Sequence, residues 1–153
     1  MVSKVLSSSI LGIDGYVVDV ECHLSGAQIP RFITVGFPEG AVKESKERVT
    51  AAIRNSGFKF PRKHITINLA PADIRKEGSA FDLPIAIGLL AAMGEVEPTF
   101  LDKLLIIGEM ALDGSLRPVR GALPIAICAR DQGIPGIILQ KENAREASVV
   151  ERV

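Results

Sequence analysis

The chain has 153 residues and a formal net charge of zero, enough for one domain with a hydrophobic core and too few for two ordinary ones. Apolar residues make up 47% and charged residues 24%, a balance that excludes a disordered or collagen-like chain. The longest apolar run, Leu83 to Met93, is too short to span a bilayer, and the N-terminus lacks the apolar core of a signal peptide. A cytoplasmic protein is therefore expected.

Hydrophobic periodicity and turn residues predict alternating groups of strands and helices. In chain order they are strands at 4–11 and 16–24 joined by a turn with Gly12, Asp14 and Gly15, a strand at 31–36, a helix at 38–57, a strand at 64–70, a helix at 80–93, two strands around Asp113-Gly114, a helix at 121–133, a strand at 136–139 and a last helical stretch from 142. Hairpins mixed with helices predict an α+β fold with a mixed sheet rather than a parallel, doubly wound one.

The cysteines and histidines give no sign of a metal or redox centre. Cys22 and Cys128 lie far apart in apolar contexts, so we expect buried free thiols. His23 and His64 stand alone in predicted strands without the ligand spacing that a metal requires. No nucleotide-binding P-loop and no nucleophile-elbow motif occurs, so the sequence predicts no cofactor or metal on residues 1–153.

Positive charge is concentrated in less than a quarter of the chain. Between Lys43 and Lys76 there are nine basic and three acidic residues, which gives this stretch 9 − 3 = +6 and leaves −6 for the remainder. Such a stretch is either a solvated surface or a contact for an anionic partner such as nucleic acid. The candidate DNA-binding residues are Lys43, Lys46, Arg54, Lys59, Arg62, Lys63, Arg75 and Lys76.

Ser79, in the stretch "RKEGSAFDLPIAIG", admits two interpretations. As a nucleophile it would need a base to take its proton, and without a suitable histidine that base would be a neutral lysine. Alternatively, Ser79 and Asp82 fit a capping box before an apolar helix, with Asp82 at the positive end of the helix dipole. Capping is favoured because capping serines are far more common, although Pro84 predicts a helix start at Asp82 or a kink there.

Four long stretches carry a family resemblance. They are "AVKESKERVTAAIRNSGFKFP", "ITINLAPADIRKEGSAFDLPIAIG", "GEMALDGSLRPVRGALPIA" and "GIILQKENAREASVV". Together they resemble the N-terminal domain of the magnesium-chelatase-like AAA+ proteins of the competence protein ComM type, and the resemblance covers essentially the whole chain. That domain is similar to the proteolytic domain of Lon protease and to the C-terminal domain of the repair protein RadA. The resemblance implies the fold of the second domain of ribosomal protein S five, with its left-handed β-α-β crossover.

The similarity to Lon bears on Ser79. It implies that Ser79 lies at or next to Lon's nucleophile position. The lysine that serves Lon as a base corresponds here to Leu123, in "RGAL", and leucine cannot accept a proton. No lysine occurs between Leu104 and Ile138, so a lysine such as Lys76 or Lys141 would have to reach Ser79 from another element. The resemblance therefore implies a Lon-like scaffold without the Lon dyad, so that residues 1–153 would not be an enzyme by themselves.

The resemblance also implies a parent protein larger than residues 1–153, with an AAA+ module that binds ATP and magnesium outside this chain. The parent is expected to be a hexameric, cytoplasmic helicase that promotes branch migration and recombination of DNA taken up in natural transformation. Residues 1–153 would then be a single non-catalytic domain for assembly and for contact with single-stranded or branched DNA. The alternatives are a residual Ser-Lys peptidase using Ser79 and a pure oligomerisation module, while a metal-chelatase accessory ranks last.

Overall fold

A computed structural model describes residues 2–150, and it confirms the α+β fold and a mixed sheet. The elements are β1 (Val2–Leu11), β2 (Asp14–Ser25), β3 (Arg31–Val35), α1 (Ala41–Asn55), β4 (His64–Ala70), α2 (Asp82–Ala92), a 3₁₀ helix (Pro98–Lys103), β5 (Leu104–Ile106), β6 (Glu109–Met110), β7 (Leu116–Arg117), α3 (Ala122–Asp131), β8 (Gly136–Ile138) and α4 (Lys141–Ala147).

Six strands form the main sheet, in the order β3-β4-β2-β1-β5-β8, and β6 pairs with β7 separately. The long β1–β2 hairpin at the centre is antiparallel and runs in register from Val2↔His23 to Leu11↔Asp14. Strand β4 pairs antiparallel with β2, whereas β3 joins β4, and β5 joins β1, in parallel. The central hairpin therefore places the ends of several elements around the tip of β1.

The larger part of the core lies between the sheet and helices α1 and α2. Alternation along β4 buries Ile65, Ile67 and Leu69, as the period-two pattern predicted. The apolar stripe of α1 is also confirmed, since Val42, Val49, Ala52 and Ile53 are buried. A smaller cluster around Leu105, Ile125 and Ala129 packs α3 against the sheet. The thiols of Cys22 and Cys128 are buried and free, as expected.

Several element boundaries differ from the prediction. Helix α2 begins at Asp82 rather than at residue 80 of the periodic pattern, which confirms the start at Asp82 expected from Pro84; Pro84 then lies in the first turn, where a missing N–H breaks no helical hydrogen bond. The stretch predicted as two strands around Asp113-Gly114 contains three, and β5 leaves the local hairpin to join the main sheet. The 3₁₀ helix was not predicted. No helix among residues 2–150 has both the length and the apolar character needed to cross a membrane.

Candidate nucleic-acid interface and serine cleft

Three of the four basic residues of α1, Lys43, Lys46 and Arg54, are exposed on one side of the helix, whereas Arg48 contacts the buried Asp82. Lys43, Lys46, Thr50 and Arg54 follow one another at spacings of three and four residues, so they share one side of the helix. The opposite side is the buried apolar stripe. Solvent therefore meets a row of cations along the length of α1.

Beside this row lies a groove of about 510 Å³, which we call the basic groove. The charged residues lining it are Arg31, Lys46, Glu47, Arg54, Arg62 and Lys63. Five cations thus face one carboxylate. Within residues 2–150, none of these five cations takes part in a salt bridge, so each can pair with an anionic ligand without first losing a carboxylate partner.

Two phenylalanines form part of the groove wall. The rings of Phe32 and Phe60 are stacked, with centroids 6.3 Å apart and an interplanar angle of 9°. The guanidinium carbon of Arg54 lies 5.5 Å from the centroid of Phe60, within the range of a cation–π contact. Arg54 therefore lies beside an aromatic surface. Cations beside aromatic side chains are the combination that binds single-stranded nucleic acid.

The structure thus brings four of the eight predicted DNA-binding residues, Lys46, Arg54, Arg62 and Lys63, into one groove. Sequence reasoning missed Arg31. Arg31 reaches the groove because β3 pairs with β4 in parallel, which sets Arg31 opposite His64 and hence next to Lys63. No sequence pattern states which strand lies beside β4, so the pairing was needed to find it.

The other four candidates lie outside the groove. Lys43 and Lys59 are exposed but do not line it. Arg75 is exposed at a different place, where its Nε lies 3.2 Å from a carboxylate oxygen of Glu77. Lys76 is fully buried, so the prediction that it contacts DNA is wrong in this structure.

Lys76 instead stabilises the loop that precedes α2. Its backbone N–H donates to the carbonyl of Phe37 at 3.0 Å, and its own carbonyl accepts from Glu39 at 2.9 Å. Its ammonium donates to the carbonyl of Pro71. Burial lowers the pKa of Lys76, and the nearby charge of Asp73 opposes that shift. The residue thus fastens the loop before α2 to the segment between β3 and α1.

Ser79 lies in a second depression of about 650 Å³, which we call the serine cleft. Its lining comes from the end of β1 (residues 8–11), from residues 74, 75 and 77–81, from Glu109 and Ile125, and from the segment 118–120. The hydroxyl of Ser79 donates a hydrogen bond to Oε2 of Glu109 at 2.6 Å. Within residues 2–150 the partner of this hydroxyl is thus a carboxylate rather than a lysine amine.

The predicted capping box does not form. The N-cap of α2 is Phe81, and no side chain caps that helix end. Ser79 bonds Glu109, and only its backbone carbonyl accepts from the N–H of Asp82, at 3.2 Å. Leu123, at the position of Lon's lysine by resemblance, lies in the first turn of α3 and lines a separate hollow with Ile13.

Asp82 instead anchors the interface between the two main helices. Its fully buried carboxylate accepts from Arg48 Nε at 2.6 Å and Nη2 at 3.1 Å. The Ser45 hydroxyl donates to it at 2.7 Å and the Met110 N–H at 3.1 Å. The bond to Asp82 raises the pKa of Arg48. One carboxylate therefore joins α1, α2 and β6.

Neither depression is built for a metal. Among residues 2–150, no three histidine, cysteine, aspartate or glutamate side chains converge. The structure therefore gives no metal-binding residue to add to the sequence prediction.

Comparison with known proteins identifies the family. The family described as subunit ChlI of Mg-chelatase matches residues 20–143. Competence protein ComM of Haemophilus influenzae is 47% identical over 95% of this chain, which covers 28% of that protein. Uncharacterized protein YifB of Escherichia coli is 45% identical over 97% of the chain and 29% of its own length.

Lon protease 2 of Bacillus subtilis is more distant, at 28% identity over 66% of the chain and 18% of that protein, and this similarity agrees with a Lon-like fold. The chain spans less than a third of the length of the curated ComM and YifB relatives it matches. The identity and coverage nevertheless suffice to assign the family: the chain belongs to the magnesium-chelatase-like AAA+ family, of the ComM type.

Proposed function

We propose that this domain is a DNA-contacting part of a ComM-type AAA+ motor that acts on DNA during uptake, branch migration and recombination. ATP and magnesium would be bound by the motor module of that longer protein. The domain itself would contribute affinity for DNA and contacts for assembly into a ring, in the cytoplasm. The similarity to a competence protein supports the process, and the basic groove supports the contact.

The observation that carries the proposal is the set of unpaired cations in the basic groove. Phosphate contacts by lysine and arginine release condensed counterions, so the affinity for DNA falls steeply with salt. Five cations in one groove, if each meets a phosphate, give a slope of about −3.5 in log K against log salt for a single strand. That slope corresponds to about a hundredfold loss of affinity between about 50 mM and about 200 mM salt.

The test is a fluorescence-anisotropy titration of residues 1–153 with labelled single-stranded, duplex and branched DNA at those two salt concentrations. Lys46→Ala, Arg54→Ala, Arg62→Ala and Lys63→Ala should each weaken binding and lower the salt slope by about one contact. Lys103→Ala and Lys141→Ala are the matched controls, because both remove an exposed lysine outside the groove. These controls should leave the affinity unchanged.

Absence of binding at the lower salt concentration would refute DNA contact by this domain. Equal effects of the groove variants and the controls would refute the groove as the contact. The assembly alternative makes a separate prediction: sedimentation of residues 1–153 would show a stable oligomer, with no affinity for any of the three DNAs.

A further inference from the structure

The basic groove has an apolar floor below a charged rim. Its charged side chains are all exposed, whereas its apolar residues other than Pro30 are buried or half-buried. These residues, which we call the groove floor, are Phe32, Phe60, Pro61 and Ile65. Phe32 and Phe60 also pack against the main core, so the fold holds the floor in place. A ligand in this groove therefore meets cations at the rim and an apolar, partly aromatic surface beneath them.

Contacts to phosphate alone leave the groove floor unused. A regular duplex presents its charged backbone to a protein surface and keeps the flat faces of its bases stacked inside. A duplex lying across the rim would therefore leave Phe32 and Phe60 in contact with water. A single strand can turn a base out of the stack, and the face of a base packs against aromatic side chains and arginine. The floor thus fits a nucleotide whose phosphate is held at the rim and whose base points inward.

Glu47 is the one carboxylate among the residues that line the groove. It is exposed, and within residues 2–150 it forms no salt bridge. It precedes Thr50 by three residues and Arg54 by seven, so all three lie on the side of α1 that faces the groove. A negative charge in this place repels phosphate and lowers the affinity for any DNA backbone. Its carboxylate oxygens can, however, accept the amino hydrogens of a base, as glutamate and aspartate do with cytosine.

We propose that the basic groove reads one base of a single strand, and that Glu47 selects a base with an amino group over thymine. The phosphates on either side of that base lie on the rim cations, and the base rests on the groove floor with its edge toward Glu47. Cytosine presents an amino group where thymine presents a carbonyl oxygen, which a carboxylate repels. The proposal rests on the DNA contact proposed above and adds to it a ranking of bases that backbone charge does not produce.

The test is a fluorescence-anisotropy titration of residues 1–153 at low salt with three strands of equal length and charge, each of about ten units. One strand contains only cytosine, one only uracil, which is thymine without its methyl group, and one only abasic sites. Cytosine and uracil have rings of the same size, so packing on the groove floor is matched between them. The cytosine strand should bind about threefold to tenfold more tightly than the uracil strand, because it gains a hydrogen bond to a charged group. The abasic strand should bind most weakly, because it has nothing to place on the floor.

Glu47→Ala removes the carboxylate from the groove. Glu146→Ala is the matched control, because it also replaces an exposed glutamate of a helix and changes the net charge equally, but lies outside the groove. In Glu47→Ala all three strands should bind more tightly, since the repulsion of phosphate is removed, and the preference for cytosine should disappear. In Glu146→Ala the preference should stay as in the wild type. A residue that only repelled phosphate would change the affinities for cytosine and uracil strands by the same factor.

The results that overturn this proposal differ from those that overturn DNA contact. Equal affinity for the cytosine and uracil strands, or a preference for cytosine that survives in Glu47→Ala, would overturn the selection by Glu47. An abasic strand that binds as tightly as the cytosine strand would overturn the placement of a base on the floor. DNA contact by the groove would still stand in these cases if Lys46→Ala and Arg54→Ala weakened the binding of every strand. Absence of binding by all three strands would refute DNA contact itself, and this proposal with it.

Discussion

The buried ion pair between Arg48 and Asp82 predicts how the free energy of unfolding changes when one or both partners are replaced. Asp82 is fully buried, and the side chain of Arg48 is 19% exposed. Removal of one partner of such a pair leaves an uncompensated charge and costs about 3–5 kcal/mol of the free energy of unfolding. Arg48→Met leaves the carboxylate unpaired at the buried end, so this variant should show the full loss.

Asp82→Asn should cost less, because the unpaired guanidinium keeps some contact with water. The double variant Arg48→Met/Asp82→Asn contains no unpaired charge, and its amide oxygen still accepts from Ser45 or Met110. We therefore expect the double variant to be more stable than Arg48→Met alone, although it carries one more substitution. The expected loss in Arg48→Met corresponds to a fall in Tm of about 6–20 °C for a chain of this size.

The assay is urea denaturation of all four proteins, followed by far-ultraviolet circular dichroism and analysed as a double-mutant cycle. Additive losses, with the double variant less stable than either single one, would refute the account of Asp82 as a charge that needs its partner. A loss below about 1 kcal/mol in Arg48→Met would refute the burial on which the argument depends.

Three further predictions concern single residues. Gly36→Ala should lower the free energy of unfolding by more than about 2 kcal/mol, because φ is 106° and an added Cβ would lie 2.0 Å from the Leu69 carbonyl oxygen. Gly133→Ala, in open space at φ 70°, should lower it by about 1 kcal/mol, and equal urea midpoints for the two variants would contradict this. Burial raises the pKa of Cys22 to about 12, so its thiol should react with a disulfide reagent only on unfolding, and rapid labelling of the native protein would contradict it. Burial lowers the pKa of Lys76 below its ordinary 10.5, so protonation of Lys76 destabilises the folded state relative to the unfolded state. The free energy of unfolding of the wild type, relative to that of Lys76→Met, should therefore rise as the pH rises through the lowered pKa toward 10.5. A difference that stays flat or falls over this pH range would count against it.

Much of the fold could be predicted from local pattern. The strict alternation of β4 and the apolar stripe of α1 are periodic signals, and both were confirmed. Boundaries were less predictable from periodicity: α1 spans Ala41–Asn55 rather than 38–57, whereas the start of α2 at Asp82 followed from Pro84. Strand β5 was assigned to a local hairpin, since the short run Leu104–Ile106 carries no signal that its partner is β1, nearly a hundred residues earlier.

The candidate sites depended more strongly on tertiary contacts. Charge density indicated the stretch 43–76, but only the structure separated Lys46 and Arg54 in an open groove from Lys76 inside the loop. The capping interpretation of Ser79 followed a valid local rule and was wrong. The hydroxyl of Ser79 donates a hydrogen bond to Glu109, thirty residues later in the chain. The carboxylate of Asp82 accepts a hydrogen bond from Arg48 instead of capping α2.

The sequence by itself determined the class of fold, the buried faces of its elements, the absence of a P-loop and the family resemblance, because these are properties of residue order and composition. Only the tertiary structure decided which charges are exposed and which groups are paired. The physical reason is that burial and hydrogen bonding depend on residues far apart in sequence, which meet only when the sheet assembles.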